Sequence, residues 1–168
     1  MTQDESKAPV NPITAPFSVE DVPWEEWHQG ERFGSRTRQI GRYGGGSHMG
    51  VVMEELAPGK QSCPAHYHLL EEEHLLILEG QATLRMGEQT YEVSAGDYVC
   101  FPAGQAVAHT LMNNSTAPCR FLVIGEDNPH DVVVYPDSEK VLVRATQEIY
   151  RKAVLEYWEG EDESEDTG

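Results

Sequence analysis

Four side chains in the middle of the chain have the types and spacing of a metal-binding set. His66 and His68 are two residues apart, so on an extended segment both imidazole rings point to the same side. Four residues separate His68 from Glu73, which lets the chain turn and return a carboxylate to that side, and His109 comes from a distant segment. Three imidazoles and one carboxylate suit Fe(II), Mn(II), Ni(II), Co(II) or Zn(II), whereas Mg(II) and Ca(II) prefer more oxygen ligands. The set predicts a divalent transition metal and leaves its identity open.

Short β-strands are the elements that must position these side chains. From Met49 onward, runs rich in Val, Leu, Ile, Thr and Tyr end at turn residues such as Gly80 and Gly96. This pattern is typical of an all-β sandwich or barrel. Eight strands are predicted, over residues 50–56, 73–78, 81–86, 89–93, 97–101, 107–113, 120–124 and 131–135.

The two ends of the chain differ from this central region. Residues 1–20 contain three prolines and predict a flexible arm, and residues 159–168 predict an acidic, disordered tail. Residues 21–158 are expected to form one domain that ends in a helix. Thr146 would cap this helix, whose apolar residues recur at near 3.6-residue spacing: Ile149, Ala153, Val154, Tyr157 and Trp158.

The composition excludes several classes of partner. Twelve basic against 29 acidic residues give a net charge of -17, which repels nucleic acids and anionic membrane surfaces. No apolar stretch reaches the ~20 residues of a membrane span, and the first residues do not resemble a signal peptide. We therefore expect a cytoplasmic protein. Its widely spaced cysteines, Cys63, Cys100 and Cys119, predict reduced thiols rather than a disulfide framework.

Two segments resemble the paired motifs of the cupin superfamily. The first, PAHYHLLEEEHLLILEG, has His66, one residue, His68, four residues, Glu73, six residues and Gly80 in the order of the first cupin motif. The second, GDYVCFPAGQAVAHTLMN, keeps the order of Gly96, Pro102, Gly104, His109 and Asn113 in the second motif. Four residues separate Gly104 from His109, where two are usual. Fifteen residues separate the motifs, as in compact, single-domain cupins of type 2, the monocupins.

The resemblance implies a double-stranded β-helix, or jelly-roll barrel, with His66, His68, Glu73 and His109 as metal ligands. The interval to Gly80 selects Glu73 over its rival Glu72. Alternation along the strands places Leu75 and Ile77 on the face of Glu73, so the metal would lie in a partly apolar pocket. Cupins of this size commonly pair through exposed strands, so a homodimer is expected.

Cupins serve many purposes, so the resemblance leaves the activity open. Our leading hypothesis is a metal-dependent enzyme, such as a dioxygenase, isomerase or lyase, that acts on a small carboxylate, carbohydrate or aromatic metabolite. The alternative is a non-catalytic cupin that binds or senses a small, sugar-like ligand. No residue is singled out as catalytic beyond the ligands, although Arg85 and Tyr98 are candidates to contact a bound acid.

Overall fold

The computed structural model describes residues 15–161 of the 168-residue chain. Residues 1–14 and 162–168 lie outside this part, and they include most of the predicted flexible arm and acidic tail. Within the predicted arm, Ser18 caps a short 3-10 turn, Val19–Asp21, whose Val19 carbonyl accepts a hydrogen bond from Arg38. The proposed domain limits stay predictions.

Strands dominate the described part of the chain, and the all-β prediction is confirmed. All eight predicted strands are present with ends within two residues of those predicted. The observed strands are β1 Glu25–Gln29, β2 Phe33–Arg38, β3 Met49–Leu56, β4 Tyr67–His68, β5 Glu73–Glu79, β6 Gln81–Met86, β7 Gln89–Ser94, β8 Tyr98–Phe101, β9 His109–Met112, β10 Cys119–Glu126, β11 Val132–Tyr135, β12 Lys140–Val143 and β13 Glu148–Arg151.

The strands form a β-sandwich of the jelly-roll type. One sheet has six strands in the order β1-β2-β3-β10-β5-β8, and the others have the orders β13-β12-β11-β4 and β7-β6-β9. The two smaller sheets meet where His66 pairs with His109 through two backbone hydrogen bonds, of 3.2 and 2.9 Å. Because the strands divide into separate sheets, the predicted closed barrel is not confirmed.

The core follows from the alternation of side chains along the strands. On β5, Leu75 and Ile77 are buried, and Leu76 between them is more exposed. Burying each large apolar side chain contributes about 1.5–3 kcal/mol, so this inward face drives the sheets together. The core cluster comprises Leu56, Leu75, Ile77, Ala82, Leu84, Phe101, Leu111, Cys119 and Phe121.

The predicted C-terminal helix is wrong. Residues 148–151 form β13, which pairs with β12 as a hairpin, and residues 152–161 contain no helix. Ile149 and Tyr150 suit a strand because β-branched and aromatic residues are enriched in strands. Gln147, at φ 59°, turns the chain back toward β12 before a helix can begin. The aromatic residues assigned to the helical stripe, Tyr157 and Trp158, are 83% and 72% exposed.

Helical structure is limited to short segments in the described residues. The helix α1 spans Ile40–Tyr43, and 3-10 turns lie at Val19–Asp21 and Pro136–Ser138. No helix within residues 15–161 is long and apolar enough to cross a membrane.

The turn between β5 and β6 depends on Gly80, and its replacement tests the packing there. Gly80 has φ +79°, and an added Cβ would lie 2.5 Å from the Pro118 carbonyl oxygen. Gly59 has φ +78° with open space around it, so it is the matched control. We expect Gly59→Ala to cost about 1 kcal/mol of unfolding free energy from the left-handed backbone alone. Gly80→Ala should cost at least about 1 kcal/mol more in urea unfolding; equal losses would contradict the close approach.

Candidate metal centre

The structure brings the four predicted ligands together at the inner face of the sandwich. His66 lies just before β4, His68 within it, Glu73 at the start of β5 and His109 at the start of β9. The ligand atoms of His66, His68 and Glu73 all lie within 4.8 Å of one another. A tight turn between β4 and β5 therefore returns the carboxylate to the histidine pair, as the spacing predicts.

His109 joins this group from the second motif. Its Nε2 lies 3.3 Å from Glu73 Oε1, and its ring centroid lies 4.8 Å from that of His66. Phe101 stacks on His109 with ring centroids 3.6 Å apart, which fixes the plane of the imidazole. The two additional residues between Gly104 and His109 are contained in the loop before β9.

Hydrogen bonds to Nδ1 orient two of the histidines. His66 Nδ1 donates a hydrogen bond to the Pro64 carbonyl over 2.9 Å, so the lone pair of Nε2 is available to a metal. His68 Nδ1 lies 2.6 Å from Asp131 Oδ2, and its Nε2 lies 3.8 Å from Glu73 Oε2. The Nε2 atoms of His68 and His109 thus face the carboxylate from either side.

These positions fit one divalent cation. Donors that share a metal at about 2.1 Å lie about 3.0–3.4 Å apart, close to the separations around Glu73. The donor set of three nitrogens and a carboxylate suits the transition metals named above better than Mg(II) or Ca(II).

The pKa values of Glu73 and His109 favour the protonation states that bind a metal. Burial raises the pKa of Glu73, but the hydrogen bond and charge of His109, with those of the other histidines, outweigh it and lower the net pKa. Burial lowers the pKa of His109, although Glu73 opposes this. At neutral pH the centre therefore presents an ionised carboxylate and a neutral His109, which are the forms that bind metals.

Asp131 is a site residue that the sequence analysis missed. It is fully buried and accepts hydrogen bonds from His68 Nδ1 and, at 2.9 Å, from the Leu70 backbone N–H. Burial raises the pKa of Asp131, but these hydrogen bonds lower it below its usual range. Carboxylate partners of this kind fix the ring of a metal-binding histidine. Asp131 lies 63 positions after His68, so no local spacing could have revealed the pair.

Glu54 is a second missed residue, in an internal cavity of about 120 Å³ next to the ligands. Its Oε1 is buried and has no hydrogen-bond partner within residues 15–161. Burial raises the pKa of Glu54 to about 7, although the Ser35 hydroxyl offsets part of the effect. The cavity is otherwise lined mainly by apolar side chains such as Leu84 and Phe121. Alternation could have indicated Glu54, because it shares the inward face of β3 with Leu56.

The other residues that the sequence analysis considered for a role at the site do not contribute ligands to it. Glu72, the rival of Glu73, approaches His74 at 3.0 Å on the outer face of the sheet, where Tyr98 also lies. Arg85 forms a bidentate pair with Asp137. The three cysteines are free, and burial raises the pKa of the Cys63 thiol to about 12, so Cys63 is an inert neighbour of His66 at 3.6 Å.

The fold and the site define a small jelly-roll protein with a cluster of histidines and one carboxylate inside. A cupin domain model matches residues 52–125. A crystal structure of a candidate sugar phosphate isomerase from Acidithiobacillus ferrooxidans is 32% identical, covering 82% of this chain and 92% of that one, with a TM-score of 0.75. This chain belongs to the cupin family.

Two further solved structures are similar. A sugar phosphate isomerase of the cupin superfamily from Silicibacter pomeroyi is 26% identical, with 85% of this chain and 98% of that chain covered and a TM-score of 0.74. The polyketide cyclase RemF from Streptomyces resistomycificus is 23% identical and has a TM-score of 0.59, with 69% of this chain and 81% of that chain covered. This likeness supports the fold alone. No curated protein matches the chain.

Removing the Asp131 carboxylate should weaken metal binding. We expect Asp131→Ala to lower Zn(II) affinity about 10- to 100-fold, because His68 loses the group that orients it. Competition with a chromophoric chelator measures the change. Asp137→Ala, which removes an exposed carboxylate that pairs with Arg85, is the matched control and should bind as the parent does. An Asp131→Ala variant that is folded and binds with the parent's affinity would contradict the orienting role.

Glu54 should make the stability of the protein depend on pH. Its folded-state pKa of about 7 lies above the unfolded value of 4.5, so the folded state binds the extra proton. Stability is lost as the pH rises from 4.5 through 7, by of order 3 kcal/mol. Glu54→Gln removes the titrating carboxyl. The free energy of unfolding of the variant should therefore rise relative to that of the parent between pH 5 and 8, as measured by urea unfolding with a chelator present. A constant difference between the two proteins would refute the raised pKa.

Proposed function

We propose that this chain is a metal-dependent enzyme, with its centre held by His66, His68, Glu73 and His109, that isomerises a small phosphorylated sugar. The observation that carries the proposal is the convergence of three imidazoles and one carboxylate beside an internal cavity. The reaction class is suggested by two similar cupin structures that are named for sugar phosphate isomerisation. A carbohydrate substrate and an isomerase are among the alternatives that the sequence leaves open.

The ligand residues would hold Fe(II), Mn(II), Ni(II), Co(II) or Zn(II). Such an ion supplies a Lewis acid that polarises a carbonyl or hydroxyl oxygen of the substrate. The residues around the ligands keep them in place: Asp131 orients His68, the Pro64 carbonyl orients His66, and Phe101 fixes the ring of His109. Four protein ligands leave one or two positions of a five- or six-coordinate ion for substrate oxygens.

The cavity limits what can enter. Its volume of about 120 Å³ equals about four water molecules at the liquid volume of each. A whole sugar phosphate is larger, so we assign the reacting carbons to the cavity and the phosphate to the space outside it. Leu75, Leu84 and Phe121 on the cavity wall exclude water from those carbons.

Glu54 is the group that we assign to proton transfer. Isomerisation of an aldose to a ketose moves a proton between adjacent carbons, which requires a base that then returns it as an acid. A carboxyl with a pKa of about 7 is present in both forms at neutral pH. Its Oε1 has no partner in the described part of the chain, so it is available to take the proton.

Lys140 is the cation that we assign to the phosphate. No lysine or arginine is among the described residues that line the cavity. Lys140 Nζ lies 5.5 Å from the Tyr135 ring centroid, and that ring lies 5.8 Å from the His66 ring. Arg85 is already paired with Asp137 and does not serve this purpose.

The second candidate function is a non-catalytic cupin that binds or senses a small ligand. The size and the largely apolar lining of the cavity favour it, because a binding protein needs fit more than it needs anion recognition. Reversible binding without turnover would identify this alternative. The homodimer and the cytoplasmic location stay predictions.

Metal content and turnover test the proposed enzyme together. Protein purified without added metal should contain close to one ion per chain at this centre, and His66→Ala with His109→Ala should lose it. Aldose phosphates of three to six carbons should then be isomerised by the parent in deuterated water, with deuterium entering the product as read by NMR. Glu54→Gln should keep the metal and lose about 10²- to 10⁴-fold in kcat.

The control is His28→Ala, which removes an imidazole on β1 outside the centre and should change neither the metal content nor kcat. A parent that binds no metal, even after reconstitution, would contradict the proposed centre. A metal-loaded parent that binds but converts none of the sugar phosphates would favour the binding protein.

A further inference from the structure

The outer face of the six-stranded sheet carries a second group of metal-binding side chains. The ligand atoms of Glu72, His74 and Cys100 all lie within 4.8 Å of one another. Successive residues of a strand point to opposite faces, so His74 faces outward where Glu73 faces the candidate centre. The two groups therefore lie on opposite sides of the same sheet.

Strand pairing holds the outer group together. His74 on β5 and Cys100 on the edge strand β8 are direct cross-strand partners, a relation that places Cβ atoms about 4.5–5.5 Å apart. Glu72 is two residues before His74 and shares its face, with Oε1 at 3.0 Å from His74 Nε2. The backbone register thus fixes the positions of His74 and Cys100, and Glu72 joins them through its contact with His74.

Tyr98 orients the histidine of this group. Its hydroxyl lies 2.5 Å from His74 Nδ1, and the two rings stack with centroids 5.9 Å apart. The hydroxyl oxygen can accept a hydrogen bond from Nδ1–H, a tautomer that leaves the Nε2 lone pair for a cation. Histidines that bind metals are commonly oriented in this way by a partner on the other ring nitrogen.

A cation can reach this site from solvent. The side chains of Glu72 and His74 are 48% and 29% exposed. Within residues 15–161, Glu72 forms no ion pair with lysine or arginine, so its charge is available. Burial, with a contribution from Glu72, raises the pKa of the Cys100 thiol, so without a cation this thiol keeps its proton at neutral pH.

We propose that Glu72, His74 and Cys100 form a second metal site, selective for zinc or another thiolate-binding divalent cation, that clamps the edge strand β8 to β5. Thiolate and imidazole ligands favour such cations over Mg(II) and Ca(II). On binding, a metal–sulfur bond replaces the S–H bond of Cys100, and one proton passes to solvent. The proposal is independent of the proposed enzyme activity.

The clamp acts on the strands that carry the candidate centre. Glu73 precedes His74 on β5, and Phe101, which stacks on His109, follows Cys100 on β8. A cation that ties His74 to Cys100 therefore holds the backbone on which these two inward side chains stand. Its role is structural, and its removal should lower thermal stability.

Cobalt(II) titration of the full-length protein tests this site. Sulfur-to-cobalt charge transfer gives a near-ultraviolet band only when a thiolate binds the ion, and the inner set of ligands contains no sulfur. We expect the band in the parent and in His66→Ala with His109→Ala, in which one equivalent of Co(II) or Zn(II) should still bind. Cys100→Ser should lose the band, and its zinc affinity at the outer site should fall at least about tenfold.

Matched variants make the result decisive. Cys63→Ser removes a thiol beside the inner ligands and should keep the band, and Tyr98→Phe should weaken zinc binding about tenfold. Zinc should raise the thermal midpoint of the His66→Ala, His109→Ala protein, and the addition of Cys100→Ser should abolish this rise. Absence of the band from the folded parent, or its persistence in Cys100→Ser, would overturn the proposal.

Discussion

The backbone pairing of His66 with His109 is the constraint on which the centre depends. Two reciprocal hydrogen bonds between these residues join the sheets that contain β4 and β9. Because each partner is itself a candidate ligand, the bonds that connect the two motifs also set the distance between their imidazoles. The remaining ligands follow: His68 lies two residues further along the same extended segment, and Glu73 returns after a tight turn. A displacement of β9 by one residue would turn His109 away from the cavity.

The interior around this pairing is unusually rich in carboxylates. Four carboxylates lie close to the three histidines: Glu54, Glu71, Glu73 and Asp131. Of these, Glu71 forms an ion pair with the guanidinium of Arg144. Burial alone raises the pKa of a carboxyl, and the four differ in what opposes it. Hydrogen bonds keep Asp131 and Glu73 ionised, whereas Glu54 has less compensation and titrates at about 7. This separation suits a centre in which some carboxylates hold a cation or its ligands and another exchanges a proton.

The sequence predicts the parts of this structure that rest on local rules. Runs of strand-forming residues that end at turn residues predict the eight central strands. Motif spacing selects Glu73 over Glu72, and the structure places these two residues on opposite faces. Asp131 could not be found, since its partner His68 lies 63 residues away and only the pairing of β11 with β4 brings them together. The wrong prediction of a C-terminal helix has a similar origin. The spacing of apolar residues from Ile149 onward predicts a helix, but pairing with β12 makes residues 148–151 a strand.

The charge of the chain constrains how an anionic substrate could be held. A net charge of -17 repels a sugar phosphate at long range, but screening limits this to about 8 Å at physiological salt. Attraction must then come from cations in the neighbourhood of the centre. Arg85 is already neutralised by Asp137, whereas Lys140 Nζ lies 5.5 Å from the ring of Tyr135, which in turn lies 5.8 Å from that of His66. One lysine cannot offset the interior carboxylates as well. The cation at the centre would therefore contribute to substrate binding as well as to the chemical step, which ties the affinity of the site to its metal content.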